Sequence, residues 1–121
     1  MKPNVECTIP ILPVRSLSKS IAFFTLTLGF QLDWATATVC SVSRDGKPIM
    51  LRESSGEFAP AWVWIGLEDD SLFREFEERG VAVMQPPKNF SWAYEMKFRD
   101  LDGNVIWLGT ETKKDMPVDE A

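Results

Sequence analysis

Residues 101–108 read LDGNVIWL, and residues 44–51 read RDGKPIML. When the two stretches are aligned on their glycines, Asp45 matches Asp102, and two aliphatic residues further on also coincide. Asp-Gly between two apolar runs is a strong signal for a tight turn that joins antiparallel strands. A turn and strand that occur twice predict an internal duplication, in which one chain builds two similar modules.

The flanking segments support the duplication, because each half has the same order of elements. A strand and an amphipathic helix come first, each helix ends at a glycine, and further strands follow. Module one covers about 1–57, module two covers about 58–112, and the polar tail 113–121 is expected to be flexible. The sequence predicts a single α+β domain, whose two βαβββ modules form a curved mixed sheet with the helices outside.

Several element boundaries are specific enough to compare with a structure. Residues 5–14 are predicted to form the first strand, and Ser16 then caps the first helix. Asp69 or Asp70 is the predicted cap of the second helix. Residues 81–87 are predicted to be a short strand that breaks at its two prolines, since proline cannot donate to a sheet ladder.

The composition limits the class of protein. The chain has 121 residues, of which 45% are hydrophobic and 26% charged, as expected for a soluble globular domain. A net charge of −5 with no Lys/Arg cluster argues against a nucleic-acid partner. No apolar run approaches the ~20 residues of a membrane helix, and no signal-peptide pattern begins the chain. Cys7 and Cys40 are expected to be reduced thiols, so we expect a cytoplasmic protein.

The absence of histidine excludes several kinds of site. Histidine-ligated metals, Ser-His-Asp triads and Cys-His nucleophile pairs all need that residue. The aspartates Asp100 and Asp102 are the remaining acid pair to consider. Because an Asp-Gly also precedes the matching strand of module one, the sequence favours a turn over a catalytic pair. The segment also has too few oxygen ligands at alternating positions for a calcium loop.

Two longer motifs resemble a known superfamily. The stretch TIPILPVRSLSKSIAFFTLTLGF (8–30) resembles the opening motif of the vicinal oxygen chelate superfamily, and EMKFRDLDGNVIWL (95–108) resembles its closing motif. This superfamily includes glyoxalase, extradiol dioxygenases, and fosfomycin and bleomycin resistance proteins. The threonine- and proline-rich first strand, followed by an aromatic pair and LGF, is similar to the bleomycin resistance branch in particular.

The resemblance implies where metal-dependent members would hold their metal. The equivalent positions fall on Ile9 and Met50 in module one and on Trp62 and Trp107 in module two. The family uses His, Gln or Glu there, whereas none of these four side chains offers an oxygen or imidazole ligand. The resemblance therefore implies a non-catalytic binding protein without metal or cofactor. It also implies a homodimer that sequesters an antibiotic-like or aromatic ligand, such as bleomycin, in a cleft between subunits.

The alternation of side chains along the strands gives a candidate binding surface. Ile49 and Leu51 share one face of their strand, and Met50 lies on the other. By the same rule Trp107 lies opposite its aliphatic neighbours. Aromatic rings on the concave face would suit a flat or cationic ligand, although packing in a core or an interface is the other use of such residues. The predicted ligand-binding residues are Trp34, Met50, Trp62, Trp64, Trp92 and Trp107.

Two alternatives stay open from the sequence. A metal-independent isomerase or lyase could use Glu95 or Tyr94 as its acid/base, provided that the carboxylate lines the face that carries Trp107. The alternation along residues 91–100, which are predicted to form a strand, does not decide which face Glu95 occupies. The other alternative is an interaction module, whose aromatic face is only a dimer interface.

Overall fold

The computed structural model describes residues 2–119. No helix among these residues is long and apolar enough to cross a membrane. Within residues 2–119, two α-helices, one π-helical turn and eight strands follow one another. In order, they are β1 (Ile11–Val14), α1 (Leu17–Ala22), the π-helical turn (Phe23–Thr27), β2 (Gln31–Ala35), β3 (Val39–Arg44), β4 (Lys47–Glu53), β5 (Trp62–Gly66), α2 (Ser71–Glu78), β6 (Ala82–Asn89), β7 (Tyr94–Arg99) and β8 (Val105–Thr110).

The strands form two four-stranded mixed sheets with the same topology. The first sheet has the order β1-β4-β3-β2 and the second has the order β5-β8-β7-β6. In each sheet the strands that come first and last along the chain form the parallel pair, which is β1 with β4 and β5 with β8. All other pairs are antiparallel. The chain divides into two compact units at residues 58 and 59, with one sheet in each. The predicted α+β class and the repeated order of elements are confirmed.

The first unit buries one side of its sheet beneath the helical segment. Ser16 caps α1 as predicted, since its hydroxyl accepts a hydrogen bond from the Lys19 N–H at 3.3 Å. The Leu17 N–H donates to the Glu53 carboxylate at 2.9 Å, which ties the start of the helix to the end of β4. Gly29 then turns the chain with a φ of 72°, a conformation that glycine adopts without steric cost.

The second unit places α2 on one side of its sheet through aromatic contacts. Phe76 meets Phe98 at 5.4 Å between ring centroids, and Phe73 stacks on Tyr94 at 5.2 Å. Asp70 occupies the cap position of α2 without a capping bond, whereas Asp69 accepts the Ser71 N–H at 3.0 Å. The helix start is thus satisfied by the earlier of the two predicted aspartates.

The two Asp-Gly turns differ in how they are built. Asp45 and Gly46 have φ values of 53° and 75° and form a two-residue hairpin turn between β3 and β4. The second turn is longer and is organised by the buried carboxylate of Asp100. That carboxylate accepts the N–H groups of Asp102 and Asn104, each at 2.9 Å, and the Asn104 amide at 2.9 Å. The predicted turn is confirmed, and Asp100 is its internal acceptor.

Two predicted strand boundaries are wrong. The first strand begins at Ile11 and not at residue 5. Strand β6 does not break at Pro86 and Pro87 but continues to Asn89. It can do so because β6 is the edge strand of its sheet, where missing N–H donors are tolerated, and its register with β7 shifts twice.

Asn89 holds the segment that follows β8, for which the sequence predicts flexibility. Its side-chain amide donates to the carbonyls of Lys113 and Met116 at 3.0 and 3.1 Å, and its side-chain oxygen accepts the Lys113 N–H at 2.9 Å. The Asp119 N–H also donates to the backbone carbonyl of Asn89 at 2.6 Å. The last two residues of the tail lie outside the described residues.

Candidate functional site

One row of side chains crosses the second sheet from edge to edge. The backbone register pairs Gln85 with Lys97, Lys97 with Trp107, and Trp107 with Trp64. Directly paired residues share a face of a sheet, and alternation adds Trp62 and Glu95 to the same face. We call this surface the tryptophan face; it consists of Trp62, Trp64, Gln85, Glu95, Lys97 and Trp107.

Three indoles form the apolar part of the tryptophan face. The ring of Trp107 meets the rings of Trp64 and Trp62 edge to face, at centroid distances of 5.3 and 6.1 Å. Such edge-to-face contacts are a favourable arrangement of aromatic rings. Trp64 and Trp62 are 50% and 54% exposed, so much of their ring surface faces open space. The aliphatic neighbours of Trp107, Ile106 and Leu108, are buried on the opposite face, as the alternation predicts.

The position of Trp64 depends on the absence of a side chain at Gly109. A Cβ atom built on Gly109 would lie 2.0 Å from the Trp64 ring, much closer than two carbon atoms can approach. Gly109 thus provides the space that the Trp64 ring fills over β8.

A cation and an amide complete the row. The Lys97 ammonium lies 4.5 Å from the centroid of the Trp107 ring and donates to the Gln85 side-chain oxygen at 3.2 Å. Two donors, Gln85 Nε2 and Trp107 Nε1, are buried and have no hydrogen-bond partner within residues 2–119. Sequence reasoning missed Lys97 and Gln85. The available signal was that Lys97 is two residues from Glu95 and therefore shares its face of the strand. That this face also carries Trp107 becomes clear only from the pairing of β7 with β8.

Glu95 lies on the tryptophan face, which resolves the open question of its orientation. It pairs with Gly109 in the register and is 1% exposed. Its carboxylate accepts the indole N–H of Trp92 at 3.0 Å, and the Trp92 ring stacks on Phe90 at 4.6 Å. Trp92 therefore touches this face through Glu95, while Tyr94 points to the opposite side and stacks on Phe73 of α2.

The first sheet has a corresponding row with different side chains. The register pairs Trp34 with Ser41, Ser41 with Met50, and Met50 with Ile11. Trp34 is exposed, and Ser41 donates to the Asp33 carboxylate at 3.1 Å. Trp34 and Met50 thus share one face of the first sheet. Beside this row is a cavity of about 490 Å³, lined by Ile11, Pro13, Arg52, Glu53, Ser54 and Ser55.

The register also shows how the positions at which metal-dependent relatives would hold a metal correspond between the two modules. Ile9 precedes the partner of Met50 by two residues, and Trp62 precedes the partner of Trp107 by two residues, so the two modules agree. The side chains at these positions are aliphatic, thioether or indole, which do not suit hard or borderline cations. Within the described residues, no three Asp, Glu or Cys side chains cluster in a way that could hold a metal. The donor set does not fit the metal of the superfamily.

Two similar four-stranded sheets in one chain, one of which carries an exposed aromatic face, define a protein of duplicated βαβββ modules. The family model described as Glyoxalase/Bleomycin resistance protein/Dioxygenase superfamily matches residues 7–108, and the chain belongs to this superfamily. The resemblance seen in the opening and closing motifs is thereby confirmed at the level of the superfamily. No curated protein matches the sequence.

Several solved structures share the fold at low sequence identity. An integron cassette protein, HFX_CASS4, from the mobile metagenome of the Halifax Harbour sewage outfall, has a TM-score of 0.76 at 22% identity, over 84% of this chain and 95% of that one. TioX from Micromonospora sp. ML1 has a TM-score of 0.74 at 18% identity, over 85% and 96%. Lactoylglutathione lyase from Agrobacterium tumefaciens has a TM-score of 0.74 at 15% identity, over 89% and 95%. At these identities the similarity establishes the fold alone.

Proposed function

We propose that this protein is a non-catalytic small-molecule binding protein, which sequesters a planar aromatic, antibiotic-like ligand. The observation that carries the proposal is the exposed indole cluster of the tryptophan face. Trp62 and Trp64 offer half of their surface, and Trp107 holds both of them at defined angles. Contiguous apolar patches on a protein surface often mark the site of a ligand or a partner.

The gain from covering this surface is large enough to support binding. A flat ligand that removes on the order of 100 Å² of apolar surface from water would gain about 2.5 kcal/mol, at about 25 cal/mol per Å². Aromatic contacts with well-placed rings add about 0.5–1.5 kcal/mol for each pair. Catalysis of the superfamily's metal-dependent kind finds no support, because Met50 and Trp107 stand where such members keep ligands.

The setting of the site is also part of the proposal. By analogy with the bleomycin resistance branch, two copies of the chain form a homodimer, and the ligand lies in a cleft between subunits. The free thiols of Cys7 and Cys40 are in keeping with a reducing cytoplasm. Light scattering coupled to gel filtration measures the mass of the particle, and a monomer at micromolar concentration would rule out the dimer.

The binding proposal can be tested with a neutral planar probe. We expect 2-naphthalenemethanol to bind saturably in isothermal titration calorimetry, and Trp62→Ala to weaken this binding by about tenfold or more. Leu101→Ala is the matched control, because Leu101 is an apolar residue of similar exposure, 57%, in the turn before β8. Equal affinities for wild type, Trp62→Ala and Leu101→Ala would mean that the tryptophan face does not bind the probe.

The position of Glu95 favours a second candidate function, a metal-independent isomerase or lyase. A carboxylate that is 1% exposed on a ligand-binding face is a reasonable general base. We expect such an enzyme to exchange deuterium into 1-tetralone at the carbon next to its carbonyl, in a reaction that Glu95→Gln abolishes. NMR in D₂O follows the exchange. If wild type and Glu95→Gln exchange at the same rate as buffer, the enzymatic alternative is excluded for this type of substrate.

A further inference from the structure

We infer that the ligand of the tryptophan face carries an anionic hydrogen-bond acceptor, such as a carboxylate, on its aromatic ring. This inference rests on the proposed binding function and concerns the chemistry of the ligand. It differs from the cationic ligand expected for a bleomycin-like drug. The observations that carry it are the polar atoms of the row formed by Gln85, Lys97, Trp107 and Trp64.

The row is rich in hydrogen-bond donors and poor in acceptors. Its indoles can donate but not accept, and the Lys97 ammonium has three N–H bonds. The side-chain oxygen of Gln85 already accepts a hydrogen bond from the Lys97 ammonium at 3.2 Å. The amide nitrogen of Gln85, which is a donor, is the group of that side chain without a hydrogen bond to the described residues. A ligand that meets this row therefore meets N–H groups.

Two of these donors are buried without any acceptor within residues 2–119: Gln85 Nε2 and Trp107 Nε1. Buried polar groups without a partner are uncommon in folded proteins, because each has lost its hydrogen bonds to water. They lie on either side of Lys97, which is the cation of the row. An acceptor with more than one lone pair and a negative charge matches this set of groups.

The other charged groups on this face do not reverse the preference. The Glu95 carboxylate is one pleat away from Lys97 on β7 and accepts the Trp92 indole N–H at 3.0 Å. Arg99, further along the same face of β7, adds a second positive charge. On β6, Lys88 is paired with Asp119 at 3.3 Å. A cationic ligand on the Trp107 ring would meet the Lys97 ammonium, which already covers that ring at 4.5 Å.

Three probes that share a naphthalene group, one anionic, one neutral and one cationic, test the inference. They are 2-naphthoate, 2-naphthalenemethanol and 2-naphthylmethylammonium, titrated into the full-length protein by calorimetry at about 0.15 M salt, where long-range charge effects are screened. We expect 2-naphthoate to bind about tenfold tighter than the alcohol, and the ammonium to bind most weakly. An ammonium that binds as tightly as the carboxylate, or more tightly, would overturn the inference and leave the binding function intact.

Two variants with the same change of charge locate the preference. Lys97→Met should reduce the affinity for 2-naphthoate by about tenfold more than it reduces the affinity for the alcohol, so that the preference for the carboxylate disappears. Lys114→Met removes one positive charge from the exposed tail and should change none of the three affinities. If both variants weaken 2-naphthoate binding equally, net charge explains the preference and the inference is wrong. The order of the three probes on the wild type remains decisive if Lys97→Met is poorly folded.

An NMR signal reports on the buried donor directly. The indole N–H resonance of Trp107, assigned by its loss in Trp107→Phe, should move downfield on addition of 2-naphthoate and stay in place with the ammonium. If this resonance does not move when 2-naphthoate is bound, Trp107 Nε1 does not donate to the carboxylate, and the inference is wrong. Failure of all three probes to bind would instead contradict the proposed binding function itself.

Discussion

The two sheets of this protein have the same backbone plan, but their equivalent faces have different chemistry. In the first sheet the central row pairs Trp34, Ser41, Met50 and Ile11. In the second sheet the same row pairs Gln85, Lys97, Trp107 and Trp64. Both rows even pass through a register shift on their outermost strand, between Leu32 and Trp34 and between Val83 and Gln85.

The difference shows which part of a duplicated fold is free to change. The strand order, the parallel pair and the buried aliphatic residues maintain the fold, so they recur in both units. The exposed face has no such role, and it can become a polar network around Asp33 in one unit and an aromatic, donor-rich surface in the other. Function is therefore expected on the face that differs most between the modules.

The largest expected effect concerns the two turns. Asp100→Ala removes a buried carboxylate that accepts three N–H bonds, so we expect a loss of about 3 kcal/mol of unfolding free energy. Ser43→Ala, at the aligned position before the backbone-formed turn of the first unit, should cost less than about 1 kcal/mol. Urea unfolding measures both. Similar losses in the two variants would mean that the turns are held in the same way.

The next effect concerns the C-terminal segment, which is attached to the second unit. Asn89→Ala removes the side chain that bonds Lys113 and Met116, and we expect a loss of about 2 kcal/mol. Hydrogen exchange in residues 111–119 should speed up in the same variant. Asn4→Ala, at an exposed asparagine near the other end of the chain, is the control and should leave stability and exchange unchanged. Unchanged exchange in Asn89→Ala would show that other contacts hold the segment.

A smaller effect in stability, with a clear effect on binding, is expected at Gly109. Gly109→Ala forces the Trp64 ring to move, because the new Cβ atom would lie 2.0 Å from it. The ring is half exposed and can swing outward, so the cost to folding should be only about 1 kcal/mol. Binding of 2-naphthalenemethanol should weaken by about tenfold. Arg52→Ala, at the equivalent position two residues after Met50, should leave the binding unchanged.

The smallest effect is a pH dependence at Asp100. Burial raises the pKa of Asp100, although the N–H donors of Asn104 and Asp102 oppose this. Since ionisation is then harder in the folded state than in the unfolded state, the contribution of this group is fully present below the unfolded pKa of about 3.9 and is lost as pH rises through the folded pKa. The stability of wild type relative to Asp100→Asn should therefore fall from pH 4 upward. A constant difference would mean that the pKa of Asp100 is not raised.

The fold was predictable because its signals are local and repeated. The matching Asp-Gly turns, the Ser16 cap and the aliphatic alternation around Met50 and Trp107 each depend on residues close together in the sequence. The grouping of Trp62, Trp64 and Trp107 on one face follows from the same alternation. The roles of these residues in binding remain predictions.

Other parts of the site depend on how distant strands align, which the sequence does not encode locally. Lys97 meets Gln85 because the register of β6 with β7 shifts once just before Gln85 and again just after it, across Pro86 and Pro87. Sequence rules read those prolines as the end of a strand. Similarly, the contact between Glu95 and Trp92 depends on the path of the loop between β6 and β7, and Asn89 finds its partners more than twenty residues away.

The bond between Trp92 and Glu95 gives the protein an internal reference for spectroscopy. The N–H of Trp92 is already donated to a carboxylate at 3.0 Å, whereas the N–H of Trp107 has no acceptor within residues 2–119. The two indole protons should therefore lie far apart in an NMR spectrum of the free protein. Movement of the Trp107 signal toward that of Trp92 would then measure, on a scale supplied by the protein itself, how strong an acceptor each ligand brings.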